Sequence, residues 1–202
     1  MRLFVLLAGS AILAATPLSV SLGQGDLTLR PASPPAAQRE AGRRATLDDL
    51  FARLAAAKDE DEAKGIANLI ERRWTRSGSD TADLLLSRAS DAIQAKEHAL
   101  AVELLDRVIT LQPEWAEAWN RRATAFFLLD DTASAMADLR QVLVREPRHF
   151  GAWAGLGHIY MSAGDKTRAL EAYRKSLALH PFIESLRPLV DKLTPEIDGR
   201  DI

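Results

Sequence analysis

The sequence predicts an all-α fold, a solenoid of antiparallel helix pairs, and three observations predict it. From Leu47 onward apolar residues recur at the spacing of one helix face. Five columns of residues then repeat at a fixed interval. Pro113, Pro147 and Pro181 are each 34 residues apart, as are Ala101, Ala135 and Ala169; Leu85, Trp119 and Trp153; Ala89, Ala123 and Gly157; and Leu105, Leu139 and Tyr173. A period of that length holds one helix-turn-helix unit, which buries its apolar face only by stacking on its neighbours. Finally, each unit closes on a proline, which cannot continue a helix and disfavours helical geometry at the residue before it.

The elements follow in chain order. Met1-Arg2, the uncharged run from Leu3 to Ala15 and the small residues after Pro17 have the order of a secretory signal peptide, assigned to residues 1–23. Its apolar core is about 13 residues, short of the roughly 20 that a spanning helix needs. An uncleaved anchor is the alternative. Cleavage removes one arginine and takes the formal net charge from −2 to −3. Residues 24–45 carry Pro31, Pro34, Pro35 and four arginines without apolar periodicity, which predicts a disordered tether.

Residues 46–79 read as a helix pair introduced by Thr46 with Asp49 three residues on, a capping box. Phe51, Leu54, Ala55 and Ala67 fall in the repeat columns, but Lys58, Glu71 and Ser79 break them. The pair is therefore expected to be a degenerate first repeat that caps the array. Three regular units follow, 82–115, 116–149 and 150–183. Within them Trp119 and Trp153, with Phe126 and Tyr160 seven residues later, supply apolar wedges between paired helices. Ala123, Gly157, Ala135 and Ala169 stand where two backbones must cross closely. The turns inside the units fall at Lys96-Glu97, Asp130-Asp131 and Gly164-Asp165, only the last with the glycine expected there. Leu186, Leu189, Val190 and Leu193 predict a closing helix over 184–195, with Pro188 tolerable in its first turn and a tail over 196–202.

The pattern Trp119, Ala123, Phe126, Ala135, Leu139, Pro147, followed by Trp153, Leu156, Gly157, Tyr160, Ala169, Tyr173, Pro181, resembles the tetratricopeptide repeat (TPR). In the third unit only Ser176 departs from that signature, which carries Ala there. The resemblance implies a right-handed superhelix whose first helices line a concave groove for a partner's peptide or helix, with no catalytic activity. Carried over by position, the groove residues are Leu86, Ser90, Ile93 and Gln94; Asn120, Thr124, Phe127 and Leu128; and Ala154, His158, Met161 and Ser162. They lack the Lys, Arg and Asn set that grips a terminal carboxylate. The apolar strip through Ile93, Phe127, Leu128 and Met161 suits an amphipathic helix or an extended apolar segment, unless the protein's own terminal helix or a second copy covers it.

Other readings carry less. With 26 basic and 28 acidic residues there is no field suited to nucleic acid. Without cysteine there is no disulfide and no thiolate chemistry. His98, His149, His158 and His180 make no metal-ligand spacing, and no phosphate loop, dinucleotide fingerprint or nucleophile elbow occurs. Neither a cofactor nor a metal is expected. Arg122, beside Asp138 on the next helix, reads as an ion pair within the repeat. The sequence thus points to a non-enzymatic adaptor of the cell envelope, periplasmic if bacterial, that binds a protein partner. A carrier of an apolar small molecule or lipid in the same groove is the alternative.

Overall fold

The computed structural model describes residues 46–199, so the proposed signal peptide and tether lie outside the described residues. Within them the chain forms nine helices: α1 (Leu47–Ala55), α2 (Glu60–Trp74), α3 (Asp80–Gln94), α4 (His98–Leu111), α5 (Ala116–Leu128), α6 (Thr132–Arg145), α7 (Phe150–Ser162), α8 (Lys166–Leu179) and α9 (Arg187–Asp198). Among the described residues there is no strand, and no helix is long and apolar enough to cross a membrane.

The local chemistry explains the boundaries. Thr46 and Asp49 form the reciprocal capping box at α1, with Thr46 Oγ1 accepting from the Asp49 N–H at 3.1 Å and Asp49 Oδ2 from the Thr46 N–H at 2.8 Å. Asp59, Asp131 and Asp165 cap α2, α6 and α8 from one side only, each carboxylate accepting a first-turn N–H. The three turns inside the units all adopt left-handed backbone, at Lys96 (φ 63°), Asp130 (φ 61°) and Gly164 (φ 78°). The geometry is therefore shared, although only the third position carries the residue that adopts it without strain. Trp119 and Trp153 each donate Nε1–H to the carbonyl of the proline six residues earlier, Pro113 at 2.8 Å and Pro147 at 3.0 Å. This ties each first helix to the turn that introduces it.

Packing follows the columns. Ala101, Ala135 and Ala169 have no exposed surface, and Ala89, Ala123 and Gly157 are buried at the crossings. In the third unit a Cβ on Gly157 would lie 2.3 Å from Tyr173 Cε1, so the glycine makes room for a ring where the earlier units have leucine. Ser176, where the signature has Ala, is fully buried and donates its hydroxyl to the Phe150 carbonyl at 2.8 Å. Its hydroxyl is thus compensated rather than stranded. Arg122 makes a two-pronged bond to the buried Asp138, Nε and Nη2 each 2.8 Å from an oxygen, and reaches Asp106 of the preceding unit at 2.6 Å.

Two expectations need correction. The first helix pair does not cap the front of the array. α2 and α3 hardly touch, while Phe51, Leu54, Ile66, Ile70 and Trp74 share a core with Phe150, Leu179, Phe182 and Ile183 of the third unit. The pair therefore lies as a strap along the turns between units. Arg148 bonds Asp48 at 2.6 Å, and Trp115 donates to the Trp74 carbonyl at 2.5 Å. That large apolar face is buried against the third unit, while Leu84 of α3 stays exposed. At the other end, α9 continues through Pro195 to Asp198. Its last turn is held by Lys166 to Glu196 at 2.5 Å and Arg174 to Asp198 at 2.7 Å, and Ile197 packs on the core, which together offset the bond that proline removes.

Candidate functional site

A groove of about 420 Å³ opens between α5 and α7. Asn120, Ala123, Thr124 and Phe127 line it from α5, Gly151, Gly155, His158 and Ile159 from α7, and Leu139 of α6 forms part of the floor. The two glycines, one helical turn apart, leave this side of α7 bare. A Cβ on Gly155 would come within 3.1 Å of Leu139 Cδ1. Phe127 and Leu128 remain 41% and 45% exposed at the end of α5, which is costly for large apolar side chains unless something covers them.

His158 borders the groove and lies 2.9 Å from the Tyr173 hydroxyl through Nδ1. Partial burial holds its pKa below the ordinary histidine value, so the ring is neutral at pH 7. Burial likewise raises the Tyr173 phenol. Among the described residues no three His, Asp or Glu side chains converge as metal ligands.

One edge of the groove is polar and built around a buried carboxylate. Glu117 at the start of α5 accepts from Asn120 (3.1 Å), Arg121 (2.6 Å) and His149 Nε2 (3.2 Å). His149 Nδ1 accepts the Ala152 N–H at 3.0 Å as cap of α7, which leaves the ring proton on Nε2 for Glu117. The ring also stacks on Trp74 of the strap, centroids 4.2 Å apart. Burial raises the Glu117 carboxyl, but the hydrogen bond from His149 and the charge of Arg121 outweigh it and hold the pKa below the ordinary value. Beyond Glu117 the strap supplies Glu71, whose pKa is raised by burial and by the neighbouring Glu117. Glu71 also lines a second cleft of about 340 Å³, together with Glu60, Lys64 and Asn68 of α2 and His180, Phe182 and Glu184.

The structure thus brings Asn120, Thr124, Phe127 and His158 together, with Leu128 exposed beside them. It does not extend the strip across the array. Leu86 is buried in the core of the first unit, not groove-facing. Ser90 is occupied by the Leu86 carbonyl at 3.0 Å, Ile93 packs on Ala92, Ala101 and Ala125, and Gln94 is exposed. Ala154 and Met161 are half-buried and pack against the core that contains Leu186 and Leu193, so the terminal helix covers that end. Ser162 donates to the Ile159 carbonyl of its own helix. Sequence reasoning missed Gly151 and Gly155. They stand 34 residues after Glu117 and Arg121, and the loss of both side chains one turn apart was the available signal.

A row of helix pairs with a groove between their first helices defines a helical-repeat solenoid. The chain belongs to the tetratricopeptide repeat family, whose profile matches residues 86–141 and 129–182. A TPR repeat-containing protein of Rhizobium etli is 35% identical over 98% of this chain and 97% of its own length. The TPR domain of Sgt2 from Aspergillus fumigatus superposes with TM-score 0.56 at 22% identity, covering 61% of this chain and 83% of that one. The first TPR domain of Spaghetti (RPAP3), solved bound to the HSP90 peptide SRMEEVD, does so with TM-score 0.56 at 18% identity, covering 59% of this chain and 95% of that one.

Proposed function

We propose that this chain is a protein-interaction scaffold without catalytic activity, and that it receives a partner segment in the groove between α5 and α7. The observation that carries this reading is the bare Gly151 and Gly155 side of α7 facing the exposed Phe127. Together they leave an apolar slot wide enough for a partner's side chains. The likeness to a TPR domain that holds a peptide supports the mode of action. The test is capture of a partner by the wild-type protein and its loss in a Phe127→Glu, Leu128→Glu double variant that melts like the parent. An unchanged partner set refutes the groove.

The scaffold is exported to the cell envelope, on the strength of the signal-like residues 1–23. Intact mass of the protein from cells reports cleavage, and a retained Met1 in a membrane fraction supports the anchored alternative. A second reading rests on the groove's size, about 420 Å³, within the range of small-molecule sites. In that reading the slot carries an apolar small molecule or lipid, which native mass spectrometry of protein purified from cells would detect.

A further inference from the structure

The groove has one apolar side and one acidic edge, and the second belongs to the strap rather than to the repeats. Glu60 and Glu184 line the same cleft beside α2, and a hydrogen bond with Glu184 holds the Glu60 carboxyl above the ordinary value. Farther along the same helix, burial and the charge of Glu117 raise the Glu71 carboxyl, opposed by Arg121 and His149, which also pair with Glu117. Asp191 of α9 adds a further carboxylate where Glu60 and Glu184 border α9. The cations at this edge are Lys64 on the α2 face, Arg121, which pairs with Glu117 and also acts on Glu71, and Arg187, which donates to the Pro181 carbonyl at 2.8 Å. The edge is continuous with the slot, because Asn120 both lines the slot and bonds Glu117. Carboxylates crowded in this way are relieved by a cation from outside.

We infer that the groove selects a basic partner segment, with an apolar side chain seated over Gly151 and Gly155 against Phe127, and lysines or arginines lying along the acidic edge that α2 presents. This rests on the groove reading given above and adds the sign of the partner's charge. It also gives the strap a role, since α2 supplies specificity that the repeats alone lack.

The test uses the full chain and three fluorescein-labelled peptides sharing one Phe-Leu core, flanked by lysines, by glutamates or by serines. Fluorescence polarisation at low salt should rank the lysine peptide first by about tenfold or more over the glutamate peptide, with the preference shrinking as salt rises. A Glu60→Lys, Glu71→Lys double variant should invert that ranking while melting like the parent. A Glu60→Gln, Glu71→Gln variant should flatten it, which guards against a fold defect in the charge reversal. Equal binding of the lysine and glutamate peptides, or a ranking unmoved by the reversal, overturns the charge inference while the groove reading stands. If Phe127→Glu leaves binding of all three unchanged, the groove reading itself fails. Sedimentation that shows a stable dimer dissociated by Phe127→Glu overturns the inference in favour of a second copy as occupant.

Discussion

Replacing Gly157 by Ala and Tyr173 by Leu should destabilise the protein singly and much less than additively together. The Cβ added at position 157 would sit 2.3 Å from Tyr173 Cε1 and 2.4 Å from Cδ1, more than 1 Å inside ordinary contact. The ring has nowhere to go, because Tyr173 is fully buried and its hydroxyl is tied to His158. Overpacking of this kind costs about 3 kcal/mol, from which about 1 kcal/mol is recovered because alanine is the better helix former. Tyr173→Leu removes the ring and leaves a cavity, a loss of about 2–3 kcal/mol. In the double variant the clash is gone, and the third unit carries the Ala and Leu pair that units one and two already have as Ala89 with Leu105 and Ala123 with Leu139. The coupling should therefore be about 2 kcal/mol or more in favour of the pair. Urea and thermal melts followed by far-UV circular dichroism measure it, with a Gly157→Ala shift of about 4–8 °C in Tm. A parent-like melt for Gly157→Ala, or strict additivity, refutes the placement of this column at the helix crossing.

Three further outcomes follow from the same geometry. Arg122→Leu should cost about 3–5 kcal/mol, since it strands the buried Asp138, whereas Asp138→Ala should cost less because Asp106 still holds the guanidinium; equal losses in denaturant titrations would contradict this. Lys96→Gly should stabilise by about 0.5 kcal/mol, because left-handed backbone at φ 63° strains lysine and not glycine, and Asp130→Gly by less, as aspartate tolerates that region better. The depressed folded pKa of Glu117 makes its contribution fully present above the ordinary value of 4.5 and lost as pH falls through the folded value. Stability of the parent should thus drop on acidification through that window more steeply than that of Glu117→Gln, and parallel pH profiles would refute it.

The repeat was legible because its cause is local. Each proline ends a helix wherever it stands, and each alanine column answers a crossing within the same unit or the next. The groove was legible only in part. Side-chain direction in an isolated unit does not say that Leu86 turns into the core, that α9 covers Met161, or that two missing side chains on α7 open the slot. The helices of the strap and their capping box were legible, but their placement was not. The strap's ion pair joins Asp48 to Arg148 across 100 residues, and its apolar face at Phe51, Leu54 and Ile70 does not by itself name the surface that buries it.

The repeat columns themselves show how the helices flanking the three regular units are placed. Ala118, Ala152 and Leu186 recur at the 34-residue interval, and each is buried in a core shared with the unit before it. The same is true of Ala125, Ile159 and Leu193. Arg187 stands one period after Trp153 and, like that tryptophan, donates to the proline six residues earlier, at 2.8 Å. α9 therefore occupies the place of the first helix of a fourth unit, and it stacks as its predecessors do. At the front the same columns hold Leu84 and Asp91, both exposed. A charged residue at a stacking position would be stranded by a preceding helix. The first unit thus refuses a neighbour by its own composition, and the strap, with no face to stack on there, buries its core against the third unit and lends its carboxylates to the groove.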